Sequence, residues 1–337
     1  MILVRTVQEA DISGVLSLAK QAYPGMTTLP PNVDVLGAKI ANSINSVKRH
    51  VKFVEDESYF LVMEDTDSGQ IVGTSAIIAN LGFNEPFYSY KLNKVTQTCK
   101  ELDKKITFET LNLSNHFEGS AEVATLYLHK NYRKNGNGKF LARSRYLFMA
   151  QFRERFPETV MADLRGYFDD QGRSPFWDAV GRHFFGMSFA DADLYGGIHG
   201  NQFIADLMPK HPLYVNMLPK EAQAVIGQPN VVGKPALEML KKEGFRWNGH
   251  VDIFDAAPSV DSKINDVMSV KNSHTAQVVD VCNQSNGRQA MLANGDINAF
   301  KAVVSVVSIT KSGVCIPSDT LHALGLNIGD SIRYLLV

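Results

Sequence analysis

The chain of 337 residues is 45% hydrophobic and 20% charged, which is the balance of a globular protein. Its 34 basic and 35 acidic residues give a net charge of −1, which excludes general electrostatic attraction to nucleic acid or to an anionic membrane. The length predicts two or three structural units. Three scattered cysteines without metal-ligand spacing, and no apolar leader or membrane-spanning run, predict a cytoplasmic protein without a metal site.

The N-terminal part of the sequence predicts a strand, two helices and a hairpin. Ile2–Val7 predicts the strand, and Asp11 is a candidate N-cap for the first helix. Asp34–Val47 has the spacing of a second helix. Two apolar segments, Tyr59–Met63 and Ile71–Ile78, flank a polar turn and therefore predict a β-hairpin.

A basic glycine loop between a strand and a helix is the most informative stretch of the sequence. Val123–Leu128 predicts a buried strand, and apolar residues recur at helical spacing from Phe140 to Phe152. The loop contains Arg133, Lys134, Asn135, Gly136, Asn137 and Gly138. Glycines allow the backbone to approach an anion and to adopt positive φ, and the helix N-terminus adds a partial positive charge. The loop therefore predicts a pyrophosphate site.

Known phosphate-binding motifs narrow the ligand of this loop. A Walker loop requires Ser or Thr after Gly-Lys, but Phe140 follows Gly138 and Lys139. The dinucleotide fingerprint requires a third glycine where this chain has Leu141. The remaining pattern, Arg-x-x-Gly-x-Gly, resembles the coenzyme A loop of the GNAT acyltransferases. The alternative is a tight turn that binds no ligand.

Beyond Phe152 the sequence predicts further α/β structure and a β-rich tail. Val160–Leu164 predicts a strand, and the Ser-Pro pair at Ser174 predicts a helix that ends at Gly186. A second helix with a similar ending, a glycine followed by an apolar residue, spans Ala236–Phe245. These two copies indicate either a large insertion or a degenerate second half, and the sequence leaves this choice open.

The predicted fold class is α/β with a mixed sheet. Residues 1–200 are predicted to form a GNAT-like domain that binds an acyl-CoA, because the order of elements matches that fold. Residues 201–258 are predicted to form a second α/β part that completes the active site. Residues 259–337 are predicted to form a small β-rich unit with a role in packing or association.

Over nearly its full length the chain resembles the arginine N-succinyltransferase family. The resemblance rests on Leu111–Asn115 (LNLSN), Glu122–Gly138, Ser174–Trp177 (SPFW), Phe203–Pro212 (FIADLMPKHP), Val225–Gln228 (VIGQ), Lys242–Phe245 (KEGF) and Asp252–Asp255 (DIFD). It implies transfer of a succinyl group from succinyl-CoA, as co-substrate, to the α-amine of L-arginine, with no permanently bound cofactor. The CoA contact of the family falls on Leu126.

One position departs from the family pattern. Members of the family have a histidine, proposed as a proton donor, two residues after the Gln of the VIGQ motif. This chain has Pro229 and Asn230 there. Asparagine donates a hydrogen bond but cannot shuttle a proton. If the histidine is essential, the departure predicts an impaired enzyme, another proton-transfer residue, or a divergent subunit that works beside a relative. If succinyl transfer needs only positioning and oxyanion donors, the loss is tolerable.

The chemistry of acyl transfer indicates further candidate residues. A protonated amine must lose a proton before it attacks a thioester, and Glu122 lies where related acyltransferases often place a base. Backbone amides near Leu126, Tyr127 and Leu128 are candidates to polarise the thioester carbonyl. His211 lies within a family motif and is a catalytic candidate. The alternative for Glu122 is a solvated strand end, and for His211 a structural role.

Substrate charge suggests two further sets of candidates. Carboxylates suited to a guanidinium are Asp163, Asp169, Asp170, Asp191 and Asp193, and arginines suited to a succinyl carboxylate are Arg165, Arg173 and Arg182. Two alternatives to arginine succinylation remain: an acetyl-CoA-dependent amino-acid or polyamine N-acetyltransferase, and a non-catalytic CoA-binding subunit. A homo-oligomer, or a heteromer with a related subunit, is expected.

Overall fold

A computed structural model describes residues 1–22, 26–282 and 287–337. The strands are β1 (Ile2–Thr6), β2 (Ser58–Asp65), β3 (Gln70–Ile78), β4 (Ser89–Cys99), β5 (Lys104–Ser114), β6 (Ala121–Leu128), β7 (Thr159–Asp163), β8 (Leu213–Tyr214), β9 (Arg246–Val251), β10 (Pro258–Lys263), β11 (His274–Val281), β12 (Arg288–Asn294), β13 (Lys301–Ile309), β14 (Val314–Ile316) and β15 (Ser331–Leu336). The α-helices are α1 (Ile12–Ala22), α2 (Val33–Lys48), α3 (Asn137–Gln151), α4 (Pro175–Ala179), α5 (Gly181–Phe185), α6 (Phe189–His199), α7 (Gln202–Leu207), α8 (Lys220–Val225), α9 (Lys234–Lys242), α10 (Met268–Lys271) and α11 (Ser318–Leu324).

The strands join in one mixed sheet, and this confirms the predicted α/β fold class with its GNAT order of elements. The order across the sheet is β12-β15-β11-β14-β13-β1-β2-β3-β6-β7-β10-β9-β4-β5-β8. The predicted hairpin corresponds to β2 and β3, and the glycine loop connects β6 to α3. In the part of the chain that is described, no helix is both long and apolar enough to cross a bilayer.

Two local predictions about helices were wrong. Asp11 is not the N-cap of α1, because its carboxylate accepts from the amide of Gln8 at 2.7 Å and pairs with Arg5 at 2.7 Å. The single helix predicted to begin after Ser174 is divided into α4 and α5 at Val180, where φ is −126° and ψ is −76°. The predicted start is correct, since Ser174 Oγ accepts from the amide of Trp177.

The sheet opens between β6 and β7. These strands are parallel but pair only where Ala121 meets Val160 and Glu122 meets Met161. Beyond Glu122, β6 pairs with β3 alone, so the backbone groups on its β7 side face a gap in the sheet. This gap positions the candidate site.

Separate apolar cores hold the two faces of the sheet around this gap. Phe140, Leu141 and Leu147 of α3 pack on one face with side chains of β2, β3 and β7. On the other face, Leu36 and Ile40 of α2 pack with side chains of α1, β2 and β3. Because helices cover both faces, the edges of the gap are held rigidly.

The C-terminal part is a five-stranded closed unit. Its strands follow the ring β12, β15, β11, β14 and β13, and a direct pairing of β12 with β13 closes the ring. Leu292, Val303 and Ile332 are buried in its core. The unit continues the main sheet because β13 also pairs with β1, with Leu3 opposite Val303. The predicted β-rich C-terminal unit is therefore confirmed, while the residue boundaries given for the three parts stay a prediction.

Candidate active site

A cleft of about 1220 Å³ passes through the gap between β6 and β7. Its walls come from β6, the glycine loop, α3, α9 and the turn that follows β9. The residues predicted to bind the acyl-CoA all line this cleft: Leu126, Tyr127, Leu128, Arg133, Lys134, Asn135, Gly136, Asn137 and Gly138. Glu122 lines it as well. The structure therefore brings the predicted loop, the predicted strand and the candidate base into one site.

The glycine loop presents backbone donors without competing acceptors. Asn135 and Gly136 have φ values of +54° and +77°, so the chain turns sharply before α3. Gly136 is the N-cap of α3, and no side chain caps this end. Amides without an acceptor among the described residues are those of Asn135, Gly136, Gly138 and Lys139. Converging amides at the start of a 15-residue helix are the groups that the predicted pyrophosphate site requires.

A backbone irregularity in β6 lies beside the loop. The register between β3 and β6 shifts between Thr74 and Ala76. Thr125 has a φ of +58°, and its carbonyl accepts from Thr74 Oγ1 at 3.0 Å. A β-branched residue in the left-handed region costs about 1–3 kcal/mol, and such strain clusters at functional sites. The bulge redirects the backbone at Leu126, which lines the cleft.

Six carboxylates line the cleft, and one of them, Glu243, pairs with Arg143 at 2.6 Å. The other five form what is called here the acidic wall: Glu122, Asp163, Asp193, Asp252 and Asp255. Some are held by backbone donors. Asp255 accepts from the amides of Gly166 at 2.7 Å and Ala257 at 2.8 Å, and Asp252 accepts from the amide of Phe254 at 2.8 Å.

The side chain of Glu122 is buried and has no hydrogen-bond partner among the described residues. Burial raises its pKa to about 7; the charges of Lys39 and Arg145 oppose this rise, while that of Asp252 adds to it. Burial, with the charges of Asp252 and Glu122, also raises the pKa of Asp163 well above its usual range. A carboxylate that titrates near neutral pH beside an open cleft has the properties of a general base.

Three cations of the cleft act on these carboxylates. Arg145, whose charge acts on Glu122, donates to the carbonyls of Ala142 and Ala124, so two cations remain without a hydrogen-bond partner in the described structure. Lys39 of α2 and Arg165, two residues after β7, both line the cleft. Arg165 Nε is buried without a hydrogen-bond partner in the described structure, and the guanidinium lies 5.3 Å from the ring centroid of Phe168. Burial lowers the pKa of Lys39, and the charge of Glu122 partly offsets this effect.

Several other candidates lie outside the cleft. Arg173 pairs with Asp169 at 2.8 Å, and Arg182 pairs with Asp178 at 3.4 Å. Asp170 is exposed, and Asp191 accepts from Ser188 at 2.6 Å. Of the carboxylates predicted to recognise a guanidinium, the cleft therefore contains Asp163 and Asp193.

Asn230 and His211, the remaining catalytic candidates, do not line the cleft. Asn230 Oδ1 accepts from the amide of Val232 at 3.0 Å, so its side chain caps its own turn. The backbone amide of Asn230 donates to the backbone carbonyl of Arg165 at 2.7 Å, and this hydrogen bond connects the turn to the wall of the cleft. His211 is exposed in the turn before β8.

Sequence reasoning missed three residues of the cleft. Lys39 carried no signal, because a lysine on a predicted surface helix is ordinary. Asp252 and Asp255 belong to the DIFD motif, which supported only the family resemblance. The available signal was the pair of aspartates within one short motif, since aspartate is typical of polar turns.

Comparison with known proteins identifies the family to which the chain belongs. Residues 2–269 match the family model described as arginine N-succinyltransferase beta subunit. Residues 274–335 match the model described as the C-terminal domain of that subunit. The chain belongs to the arginine N-succinyltransferase family.

Relatives of this arginine N-succinyltransferase family member match along the whole chain. The arginine N-succinyltransferase of Yersinia pseudotuberculosis serotype O:3 is 39% identical over 340 residues, covering 99% of this chain and 97% of the relative. That of Escherichia coli strain 55989 is 36% identical over 334 residues, with the same coverage. The solved structure of arginine/ornithine succinyltransferase subunit AI from Pseudomonas aeruginosa superposes with a TM-score of 0.91 at 32% identity, covering 100% of this chain and 98% of that one. The family resemblance inferred from the ordered motifs is confirmed.

Proposed function

We propose that this member of the arginine N-succinyltransferase family transfers the succinyl group of succinyl-CoA to the α-amine of L-arginine. The observation that supports this most directly is the pairing, within one cleft, of an anion-binding glycine loop with a wall of carboxylates. The loop suits the pyrophosphate of a CoA thioester. The carboxylates suit an acceptor that brings an ammonium and a guanidinium.

Glu122 is the proposed base. Its carboxylate removes a proton from the α-ammonium of arginine, directly or through a water, and the neutral amine then attacks the thioester carbonyl. Attack forms the new C–N bond in a tetrahedral intermediate. The C–S bond then breaks, and the second proton of the nitrogen passes to the departing sulfur, directly or through a water, so that CoA leaves as the free thiol. Backbone amides of β6 near Leu126 stabilise the oxyanion of the tetrahedral intermediate.

Arg165 is the proposed partner of the succinyl carboxylate. It is the member of the three candidate arginines that lines the cleft, and its buried Nε has no partner in the described structure. Asn230 is proposed as a positioning residue, because its backbone amide donates to the backbone carbonyl of Arg165. His211 has no role in this mechanism.

The test measures release of free thiol from purified protein. Succinyl-CoA or acetyl-CoA is combined with arginine, ornithine, lysine or spermidine. Turnover with succinyl-CoA and arginine is expected. Turnover with acetyl-CoA alone would favour an N-acetyltransferase, and CoA binding without turnover on any pair would favour a non-catalytic subunit.

Location and assembly belong to the same proposal. Cys99, Cys282 and Cys315 are free, which suits a reducing cytoplasm. Association with a second copy or with a related subunit is proposed, and the mass of the purified protein in solution tests it.

A further inference from the structure

Lys39 is a cation of the cleft that the proposed mechanism does not use. It lies on α2, on the face of the sheet where Glu122 points, and it lines the cleft. It forms no hydrogen bond or ion pair within the described residues, although it is partly buried. Removing an ammonium from water without a hydrogen-bond partner costs free energy, and an ion pair with a ligand carboxylate would offset that cost.

The charges of the two substrates match those of the cleft. Arginine brings an ammonium, a guanidinium and one carboxylate, and the succinyl group brings a second carboxylate. The acidic wall suits the two positive groups, and Lys39 and Arg165 suit the two negative groups.

Position assigns each cation to one substrate carboxylate. The charge of Lys39 acts on Glu122, whereas Arg165 faces the charges of Asp193 and Asp255. In an α-amino acid the carboxylate and the amine are bonded to the same carbon. When the α-amine lies at Glu122, the α-carboxylate is therefore within reach of Lys39, whose charge acts on Glu122, and Arg165 remains for the succinyl group.

We propose that Lys39 binds the α-carboxylate of the acceptor and thereby selects amino acids against amines that lack this group. The inference rests on the proposed function, because it assumes that the α-amine of the acceptor lies at Glu122. Lys39 is then a specificity-determining residue for the acceptor and is not involved in binding the donor.

The experiment compares arginine with agmatine, which is arginine without its α-carboxylate. Lys39→Met removes the charge and nearly conserves the length of the side chain, while Lys39→Arg retains a positive charge. Lys48→Met is the matched control, since Lys48 is an exposed residue of the same helix. Binding of arginine and agmatine is measured by calorimetry with CoA present, and kcat and KM are measured with succinyl-CoA.

The wild-type protein is expected to prefer arginine to agmatine. In Lys39→Met the Kd and KM for arginine rise about 10- to 100-fold, the values for agmatine stay within about twofold, and the KM for succinyl-CoA is unchanged. Lys39→Arg keeps most of the preference, and Lys48→Met keeps all of it.

Three results would overturn the inference. They are an unchanged preference for arginine in folded Lys39→Met, a raised KM for succinyl-CoA with acceptor binding intact, and a wild type that binds agmatine as tightly as arginine. If Lys39→Met fails to fold, Lys39→Gln is compared with Lys39→Arg, and equal preferences in these two variants count against the inference. Failure of the proposed function is separate: it appears as no turnover by the wild type, while the binding comparison still decides the role of Lys39.

Discussion

The two sides of the cleft use different chemistry. On the proposed donor side, backbone amides of the glycine loop and the N-terminus of α3 present a site built mainly from the main chain. On the proposed acceptor side, carboxylates and two cations present a site built from side chains of β6, β7, α2, α6 and the turn after β9. The donor side is local in sequence, whereas the acceptor side is assembled from segments far apart in the chain.

This difference follows from what each side must do: one side only binds the donor, whereas the other must both bind the acceptor and remove its proton. A pyrophosphate is a constant part of every CoA thioester, so main-chain donors that persist through side-chain changes suit it. The acceptor must be recognised by its own charges and must also lose a proton, so its site needs side chains with shifted pKa values. We therefore expect donor-side changes to act on KM and changes of the base to act on kcat.

The largest expected effect is that of Glu122→Gln. The amide keeps the shape of the side chain but cannot accept the proton, so kcat falls by about 10²- to 10⁴-fold while the KM for succinyl-CoA stays unchanged. Steady-state kinetics with arginine measure both parameters. Glu101→Gln, in the exposed turn between β4 and β5, is the control. A kcat within threefold of wild type would remove Glu122 from the chemistry.

On the donor side, Gly138→Ala separates ligand contact from folding. A Cβ at Gly138 would meet only Leu128 Cδ2 at 3.9 Å, and alanine is a better helix former than glycine. We expect stability to be kept or raised, but the KM for succinyl-CoA to rise about tenfold, because the added methyl group occupies the space of the phosphate.

Two further variants complete this comparison. Gly37→Ala, in α2, is the matched control, since it makes the same change within a helix and its Cβ would meet nothing within 4 Å. Gly136→Val changes the conformation itself, because valine resists the φ of +77°, and it should raise the KM further. An unchanged KM in both loop variants would show that the donor does not lie on this loop.

The contrast between the two sides also explains what the sequence predicted. The glycine loop and its flanking strand and helix form one contiguous segment, so local patterns were sufficient to place Arg133–Gly138 in the site. The hairpin of β2 and β3 could also be predicted from local patterns, because its two strands are contiguous in sequence. Of the long hairpin β4–β5, the sequence predicts only one strand, Ile106–Leu113, which lies within β5. The strand β4 is missed because many of its residues are exposed and its apolar alternation is weak.

The acceptor side and the C-terminal unit depend on contacts that no local pattern encodes. Lys39 and Glu122 share the cleft because α2 packs across the sheet from one face. Asp163 and Asp252 approach each other because β10 inserts between β7 and β9. The closure of the C-terminal ring likewise requires the pairing of β12 with both β13 and β15. Residue type suggested Asp163 and Asp193, but only tertiary structure separates them from Asp169, Asp170 and Asp191.

A smaller effect is expected from Arg165→Met. This variant tests whether Arg165, which lies among the residues of the acceptor side, also selects the acyl group of the donor. Loss of the guanidinium should lower kcat/KM for succinyl-CoA about tenfold relative to acetyl-CoA. Arg182→Met, which removes an exposed pair with Asp178 at 3.4 Å, should leave the ratio unchanged. A succinyl-to-acetyl ratio equal to that of the wild type would exclude Arg165 from donor selection.

The smallest effect is the pH dependence of the wild-type rate. Burial raises the pKa of Glu122 to about 7, and the base acts only when ionised. At low arginine concentration the rate follows kcat/KM and reports the ionisation of the free enzyme, so it should rise with pH and reach about half of its plateau near pH 7. A rate–pH profile from pH 5.5 to 8.5 measures this step, and the step should be absent from the residual activity of Glu122→Gln.

The free energy of unfolding should also depend on the ionisation of Glu122, but it should fall as pH rises, whereas the rate increases. The pKa of Glu122 in the folded state, about 7, exceeds its ordinary value of 4.5, so the folded protein favours the protonated form. The stabilising effect of that proton is complete below the unfolded pKa and is lost as pH rises through the folded pKa. Thermal unfolding should therefore show Glu122→Gln gaining Tm relative to wild type between pH 5 and 8. A constant difference in Tm across this range would mean that Glu122 ionises outside it, and the proposed base would then need another explanation for its rate–pH profile.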